Sequence, residues 1–139
     1  LMHMKGTPEN MQIKPKYNNI ITEIKSFLSN RISFAKKKGI SSEKLIIDPG
    51  LGFGKSVRHN YLILNKLSEF LDLNCPILVG SSRKSFIGKI LKSDSDRLFG
   101  TAATIAISIL RGAKIVRVHD VKQIKEVIEI SDAIASAKE

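Results

Sequence analysis

The sequence predicts an α/β fold with a parallel sheet, and three observations carry this prediction. Short apolar runs alternate with helical patterns four times along the chain. The apolar runs lack the in–out alternation of a strand with one wet face, which is typical of strands covered on both sides. The segments between them have one apolar face, as helices packed on a sheet require. Two architectures fit, an open doubly wound sheet and a (β/α)₈ barrel, and both bind ligands at the carboxyl ends of their strands.

The predicted strands are residues 1–4, 44–48, 75–80 and 113–120. A helical stripe over roughly residues 17–38 follows the first, and a second stripe runs from Val57 to Leu71. The third strand precedes a short helix and a long one, for which Asp94 is the predicted N-cap. Asp120, with Gln123 three residues later, predicts a capping box at the start of the final helix.

Composition restricts the classes of protein and of partner. The chain has 139 residues and a net charge of +10, but the lysines are scattered, so we expect a solvated surface rather than a nucleic-acid site. No apolar run reaches the ~20 residues that span a bilayer. The single Cys75 and the lack of a visible leader predict a cytoplasmic protein. Because Leu1 falls in mid-strand, we expect a piece of something longer.

The stretch "IIDPGLGFGKS", residues 46–56, resembles two phosphate-binding motifs and satisfies neither. The P-loop pattern requires Gly where Pro49 stands, and the dinucleotide pattern requires Gly where Lys55 stands. A strand that ends in Asp48 and opens into three glycines remains, which fits either a ligand loop with clearance for close approach or a tight turn. A buried carboxylate here could accept two N–H donors from a heterocycle edge.

Each of the four predicted strands brings polar or charged residues to its carboxyl end, together with two methionines, which indicates an active site at one rim of the sheet. They are Met2, His3 and Met4; Asp48; Ser81, Ser82, Arg83 and Lys84; and Arg117, His119 and Asp120. Cations at a helix N-terminus are destabilising, so we expect an anion or an electron-rich ligand beside Arg83 and Lys84. Arg117 and His119 share one strand face and suit a diphosphate; alternatively, Arg117 pairs with Asp48 or Asp120.

The helical segment 98–113 is apolar nearly all round. An outer helix should have one wet face, so this one is either deeply covered or part of a subunit interface. The second alternative predicts a dimer.

Four segments in this order and spacing resemble dihydropteroate synthase, most closely the bacterial enzymes: "LMHMKGTPENMQ", "DPGLGFGK", "GSSRKSFIG" and "RVHDV". The resemblance covers essentially the whole chain and implies a (β/α)₈ TIM barrel. Residues 1–139 would be the C-terminal part of that single pterin-binding domain, strands five to eight with their helices, without the N-terminal half. It therefore favours the barrel over the doubly wound sheet.

The resemblance also implies a reaction in folate biosynthesis, the condensation of 6-hydroxymethyl-7,8-dihydropterin diphosphate with 4-aminobenzoate. Sulfonamides compete for the aminobenzoate pocket. Mg²⁺ is the implied cofactor, with its protein ligand in the missing half and none in this chain. The implied partners are these small molecules and a second copy of the full-length protein, with no nucleic acid and no membrane.

Site residues are implied by motif. Asp48 would bind the aminopyrimidine edge of the pterin, Met2 and Phe53 would line its slot, and Lys84 would lie against it and the breaking bond. Arg117 and His119 would hold the diphosphate, so that with Lys84 they form the catalytic set. Ser82 would bind substrate, and Ser85 with its helix N-terminus would bind the aminobenzoate carboxylate.

The missing half also limits what this chain can do. We expect the chain alone to be inactive, because the missing half would supply further pterin contacts and two mobile loops. Two other readings remain, a non-catalytic pterin-binding half-barrel and a pterin-dependent methyltransferase. "SRKS" and "RVHD" argue against the methyltransferase, which has no diphosphate to anchor.

Overall fold

The structure, a computed structural model, describes residues 1–11, 13, 15–91 and 97–138. Five α-helices and two strands occur within these ranges. The helices are α1 (Ile20–Lys37), α2 (Val57–Asn65), α3 (Ser85–Leu91), α4 (Leu98–Leu110) and α5 (Val121–Ser136). The strands are β1 (Ile77–Val79) and β2 (Ala113–Val116), and 3-10 helices occupy Ser42–Lys44 and Leu67–Leu73.

The sheet is parallel and its segments lie side by side in chain order. β1 pairs with β2, with Leu78 opposite Ile115. Ile47 forms a parallel bridge with Ile77, and Asp48 forms one with Met2. These contacts confirm the predicted α/β fold with parallel strands. They also align the carboxyl ends of the four segments at the same end of the sheet.

Regular strand pairing is shorter than predicted in all four segments. Segments 1–4 and 44–48 contribute only the bridges at Met2 and at Ile47–Asp48. β1 is limited because Pro76 offers only its carbonyl, which accepts from Ile47 N at 3.0 Å. The register of β1 against β2 also shifts between Ile77 and Leu78.

Helix α1 confirms the first helical prediction. The Asn19 side chain caps it by accepting from Thr22 N at 3.1 Å. Lys36 and Lys37 in the last turn complement the helix dipole. Its apolar stripe is buried in the hydrophobic core and consists of Ile20, Ile21, Ile24, Leu28, Ile32 and Ala35.

The second helical prediction is only partly correct, because the stripe is divided between two kinds of helix. α2 ends at Asn65, and a 3-10 helix continues from Leu67 to Leu73. Side chains three residues apart share one face of a 3-10 helix. Leu67 and Phe70 are therefore both fully buried in the core, while Leu71 is exposed.

The predicted capping box at Asp120 is wrong. Asp120 does occupy the N-cap position of α5, but its side chain makes no capping bond because it pairs with Arg83. Asp94, the predicted cap of the long helix, lies outside the described residues. Arg97 precedes α4 instead, in a left-handed conformation with φ 61°.

Helix α4 is apolar as predicted, but it is not covered on all sides. Its buried face carries hydroxyls, from Thr101, Thr104 and Ser108, whereas Phe99 is 86% exposed. It packs against α5 and β2. The subunit interface stays a prediction.

The core lies between the helices and the sheet, and Cys75 is buried within it. None of the helices in the described ranges is long and apolar enough to cross a membrane.

Candidate active site

Asp48 lies at the carboxyl end of the second sheet segment and is 8% exposed. Its Oδ1 accepts the backbone N–H of Gly50 at 2.7 Å. Burial raises the pKa of the carboxyl. The N–H of Gly50 lowers this pKa and so opposes the effect of burial. Three nearby cations, Arg117, Lys84 and Lys55, do the same. The geometry is that of a buried acceptor surrounded by positive charge.

The loop after Asp48 is fixed by side chains from several elements. Asn60 Oδ1 of α2 accepts from Gly52 N at 2.7 Å, and Tyr17 Oη donates to Gly54 O at 2.9 Å. Lys84 Nζ donates to Leu51 O, and Lys55 Nζ donates to Phe53 O at 3.0 Å. We call residues 50–54 the glycine loop.

Two of the three glycines make room for protein, not for a ligand, which corrects the prediction for this loop. A Cβ at Gly50, where φ is +71°, would lie 1.9 Å from His3 O, and one at Gly54 would lie 2.4 Å from Lys5 O. Gly52 faces the Lys84 side chain, with its virtual Cβ 3.3 Å from Nζ. The loop is thus packed directly onto segment 3–5.

Lys84 lies over the aromatic ring of Phe53, with Nζ 4.1 Å from the ring centroid. This is a cation–π distance. Burial lowers the pKa of Lys84 and Arg117 adds to this, while Asp48 opposes it. Asp48, Phe53 and Lys84 therefore form one cluster; the strand ends predicted Asp48 and Lys84, and the family resemblance added Phe53.

Arg83 is paired with a protein carboxylate, that of Asp120. Its Nε donates to Asp120 Oδ2 at 3.0 Å, and its Nη2 donates to Oδ1. This fork lowers the pKa of Asp120. The alternative pairing of Arg117 with Asp120 is therefore wrong, whereas a ligand beside Arg83 and Lys84 stays a prediction.

The hydroxyl of Ser82 connects the ends of β1 and β2. Its Oγ lies 2.8 Å from His119 Nδ1 and accepts His119 N at 3.1 Å. Because Nδ1 of His119 is engaged by Ser82, Nε2 is the ring nitrogen left for other contacts. Arg117 is exposed beside Gly80, with its Nη2 3.3 Å from the position of a Cβ there. Arg117 and His119 thus both lie at the predicted rim, where Arg117 is close enough to act on Asp48 and His119 contacts Ser82.

The two remaining predicted residues are accessible. Met2 is 38% exposed next to Gly50, and Ser85 is the first residue of α3 and exposed. Both lie at the same end of the sheet as the cluster, since Met2 pairs with Asp48 and Ser85 follows Lys84.

Three buried polar residues that contact the rim, Lys55, Thr101 and Thr104, were not predicted. Lys55 Nζ lies 3.0 Å from His3 Nδ1 in the interior. The hydroxyl of Thr101 accepts from Arg83 N at 3.0 Å, and that of Thr104 lies 2.8 Å from Ser81 Oγ. The spacing of Thr101, Thr104 and Ser108 would have revealed a hydroxyl face on α4.

Comparison with known proteins identifies the class. The sequence profile described as "Pterin binding enzyme" matches residues 1–119. The chain therefore belongs to the pterin binding enzyme family.

The particular relatives are dihydropteroate synthases, which confirms the resemblance stated from the sequence. The Escherichia coli K12 enzyme is 46% identical over 140 residues, which cover 100% of this chain and 50% of that protein. The Haemophilus influenzae enzyme is 44% identical over 99% of this chain and 50% of that protein. The chain thus spans about half the length of the curated relatives it matches.

Solved structures give the same result. The Yersinia pestis dihydropteroate synthase with a sulfonamide drug complex has a TM-score of 0.96 at 44% identity, covering 99% of this chain and 50% of that one. The Thermus thermophilus enzyme in complex with 4-aminobenzoate has a TM-score of 0.89 at 33% identity, covering 96% of this chain and 55% of that one. These neighbours imply a TIM-barrel enzyme.

Proposed function

We propose that this chain provides the pterin- and diphosphate-binding part of a dihydropteroate synthase, as strands five to eight of a TIM barrel. The observation that carries the proposal is the convergence of Asp48, Lys84, Arg117 and His119 on one rim of the parallel sheet. The cluster offers a buried acceptor, an aromatic ring and cations, which together suit a pterin that bears an anionic leaving group. The Yersinia and Thermus relatives, with their sulfonamide and 4-aminobenzoate complexes, support it.

In the proposed reaction the amine nitrogen of 4-aminobenzoate attacks the methylene carbon of the pterin. The bond from that carbon to the diphosphate oxygen breaks, diphosphate leaves with the bonding electron pair, and the amine loses a proton. Arg117, His119 and Lys84 stabilise the charge that develops on the leaving oxygen, which is electrostatic catalysis by prepositioned groups. Asp48 accepts N–H donors from the heterocycle, with Met2 and Phe53 along its faces.

Ser82 would act on the diphosphate through His119, and Ser85 would contact the aminobenzoate carboxylate. We propose Mg²⁺ as the partner of the diphosphate. Among the described residues no group of three or more His, Cys, Asp or Glu side chains is placed to hold a metal ion. In this proposal the protein ligand of the Mg²⁺ would lie outside this chain.

Calorimetry with pterin diphosphate and Mg²⁺ tests the proposal. The samples are the 139-residue chain and a chimaera in which the N-terminal half of the E. coli enzyme precedes it. We expect the chimaera to bind and to form dihydropteroate, and the chain alone to be inactive. Asp48→Ala should abolish binding, whereas the exposed-site control Ser29→Ala should not. A folded chimaera that neither binds nor turns over would refute the assignment.

A further inference from the structure

Lys55 is a buried cation for which the proposed reaction has no role. It is 4% exposed and follows the glycine loop directly. A buried lysine is unusual unless its charge is compensated. Its surroundings therefore have to explain why a lysine occupies this position.

The ammonium of Lys55 is enclosed by acceptors. Nζ lies 3.0 Å from Phe53 O, 3.0 Å from His3 Nδ1 and 3.5 Å from His3 O. An ammonium has three donors and no acceptor, so it matches these three atoms. His3 Nδ1 then accepts, which makes His3 neutral with its proton on Nε2.

Electrostatics agrees with this assignment of protons at pH values between the pKa of His3 and that of Lys55. Burial and the charge of Lys55 lower the pKa of His3 to about 4, so the ring is neutral near pH 7. Burial lowers the pKa of Lys55 to about 7, while Asp48 favours its charged form and Lys84 opposes it. The other charged groups acting on His3 are Lys5 and Glu23.

The contacts of Lys55 join two segments that both reach the site. His3 directly follows Met2, and its backbone N donates to Asp48 O at 3.0 Å. Phe53 carries the ring beneath Lys84. Lys55 thus links His3, the residue after Met2, to Phe53. It does so from the buried side of the glycine loop.

We propose that Lys55 is a positioning residue whose ammonium fixes the glycine loop to His3, and so holds Phe53 and Asp48 in the geometry that binds the pterin. It does this without touching the ligand. The inference rests on the proposed function for the identity of that ligand.

Steady-state kinetics of the chimaera tests it. Lys55→Met keeps the aliphatic stem and removes the ammonium, and Lys37→Met at the exposed end of α1 is the charge-matched control. We expect the KM for pterin diphosphate to rise about 10- to 100-fold in Lys55→Met. The KM for 4-aminobenzoate and kcat should stay within about twofold of the parent. A folded Lys55→Met variant with an unchanged pterin KM, or with kcat lowered alone, would overturn the proposal.

A second measurement covers the case in which Lys55→Met does not fold. Long-range ¹H–¹⁵N spectra of the unsubstituted chain should show His3 protonated at Nε2 and unprotonated at Nδ1 at a pH between the pKa of His3, about 4, and that of Lys55, about 7. A proton on Nδ1 would overturn the proposal regardless of any variant. An inactive parent chimaera would refute the proposed function instead, and the His3 tautomer would then decide whether Lys55 fixes the loop.

Discussion

Ser82 Oγ lies 2.8 Å from His119 Nδ1 and also accepts the backbone N–H of His119, at 3.1 Å. One hydroxyl therefore sets both the ring orientation and the backbone position of a residue 37 places later in the chain. Beside it, Arg83 and Asp120 form a second connection between the same two loops. The loop after β1 and the loop after β2 are held in register by adjacent pairs of side chains.

Replacing Ser82 with Ala should weaken binding of the diphosphate part of the substrate. The variant loses the hydroxyl that orients His119, and one such hydrogen bond contributes about 1 kcal/mol, or about fivefold in affinity. Calorimetry on the chimaera with the pterin diphosphate, and with the same pterin lacking diphosphate, checks this. We expect the loss for the first ligand only. An equal loss for both ligands would contradict the assigned role of His119.

Replacing Lys84 with Met should raise the pKa of Asp48. The charge of Lys84 is one of the effects that lower this pKa against the effect of burial. A ¹³C NMR titration of the carboxyl in the full chain measures the shift. Lys89→Met, exposed on helix α3, which follows Lys84, is the matched control and should leave the titration unchanged. If both variants titrate like the parent, Lys84 does not act on Asp48.

Replacing Gly50 with Ala should destabilise the chain by about 2–5 kcal/mol. The left-handed backbone costs about 1–2 kcal/mol, and the clash with the backbone of segment 3–5 adds an overpacking cost of about 1–3 kcal/mol. Gly39→Ala is the control, because Gly39 also has a positive φ, +85°, but nothing lies within 4 Å of its virtual Cβ. Urea unfolding of both variants separates the two costs. Equal destabilisation of the Gly50→Ala and Gly39→Ala variants would mean that His3 O moves away from the new Cβ without a measurable free-energy cost.

Acid should destabilise the protein through His3. Because the folded-state pKa is about 4 against a usual 6.5, the unfolded chain takes up the proton first. The contribution of neutral His3 to the free energy of unfolding is fully present above pH 6.5 and is lost as the pH falls to about 4. It amounts to at most about 3 kcal/mol.

Urea unfolding at several pH values, compared between the parent and His3→Asn, measures this contribution. The comparison also removes the opposite effect of Asp48, whose raised pKa favours the folded state in acid. We expect the stability of the parent to fall more steeply with acid than that of the variant. Parallel pH profiles would show that His3 titrates normally in the folded chain.

The sequence was sufficient where local pattern decides the structure. The alternation of apolar runs and helical stripes predicted the parallel sheet, and the strand ends predicted the cluster of Asp48, Lys84, Arg117 and His119. Helix α1 was predicted because its stripe and its cap lie within one continuous segment.

The failures concern side chains whose partners are distant in sequence. Asp120 has the spacing of a capping residue, but the guanidinium of Arg83, 37 residues earlier, competes successfully for its carboxylate. Lys55 and His3 lie 52 residues apart, and no local pattern pairs them. The one available signal was a lysine directly after a buried glycine-rich turn, a position with little room for a solvated charge.

The bonds that fix the glycine loop have a thermodynamic consequence for ligand binding. Gly50 N, Gly52 N, Phe53 O and Gly54 O are all bonded to side chains before any ligand arrives. The conformational entropy of this loop is thus lost on folding and not on association. A ligand that enters encounters a rigid receptor surface, so little of its interaction energy is needed to order the protein.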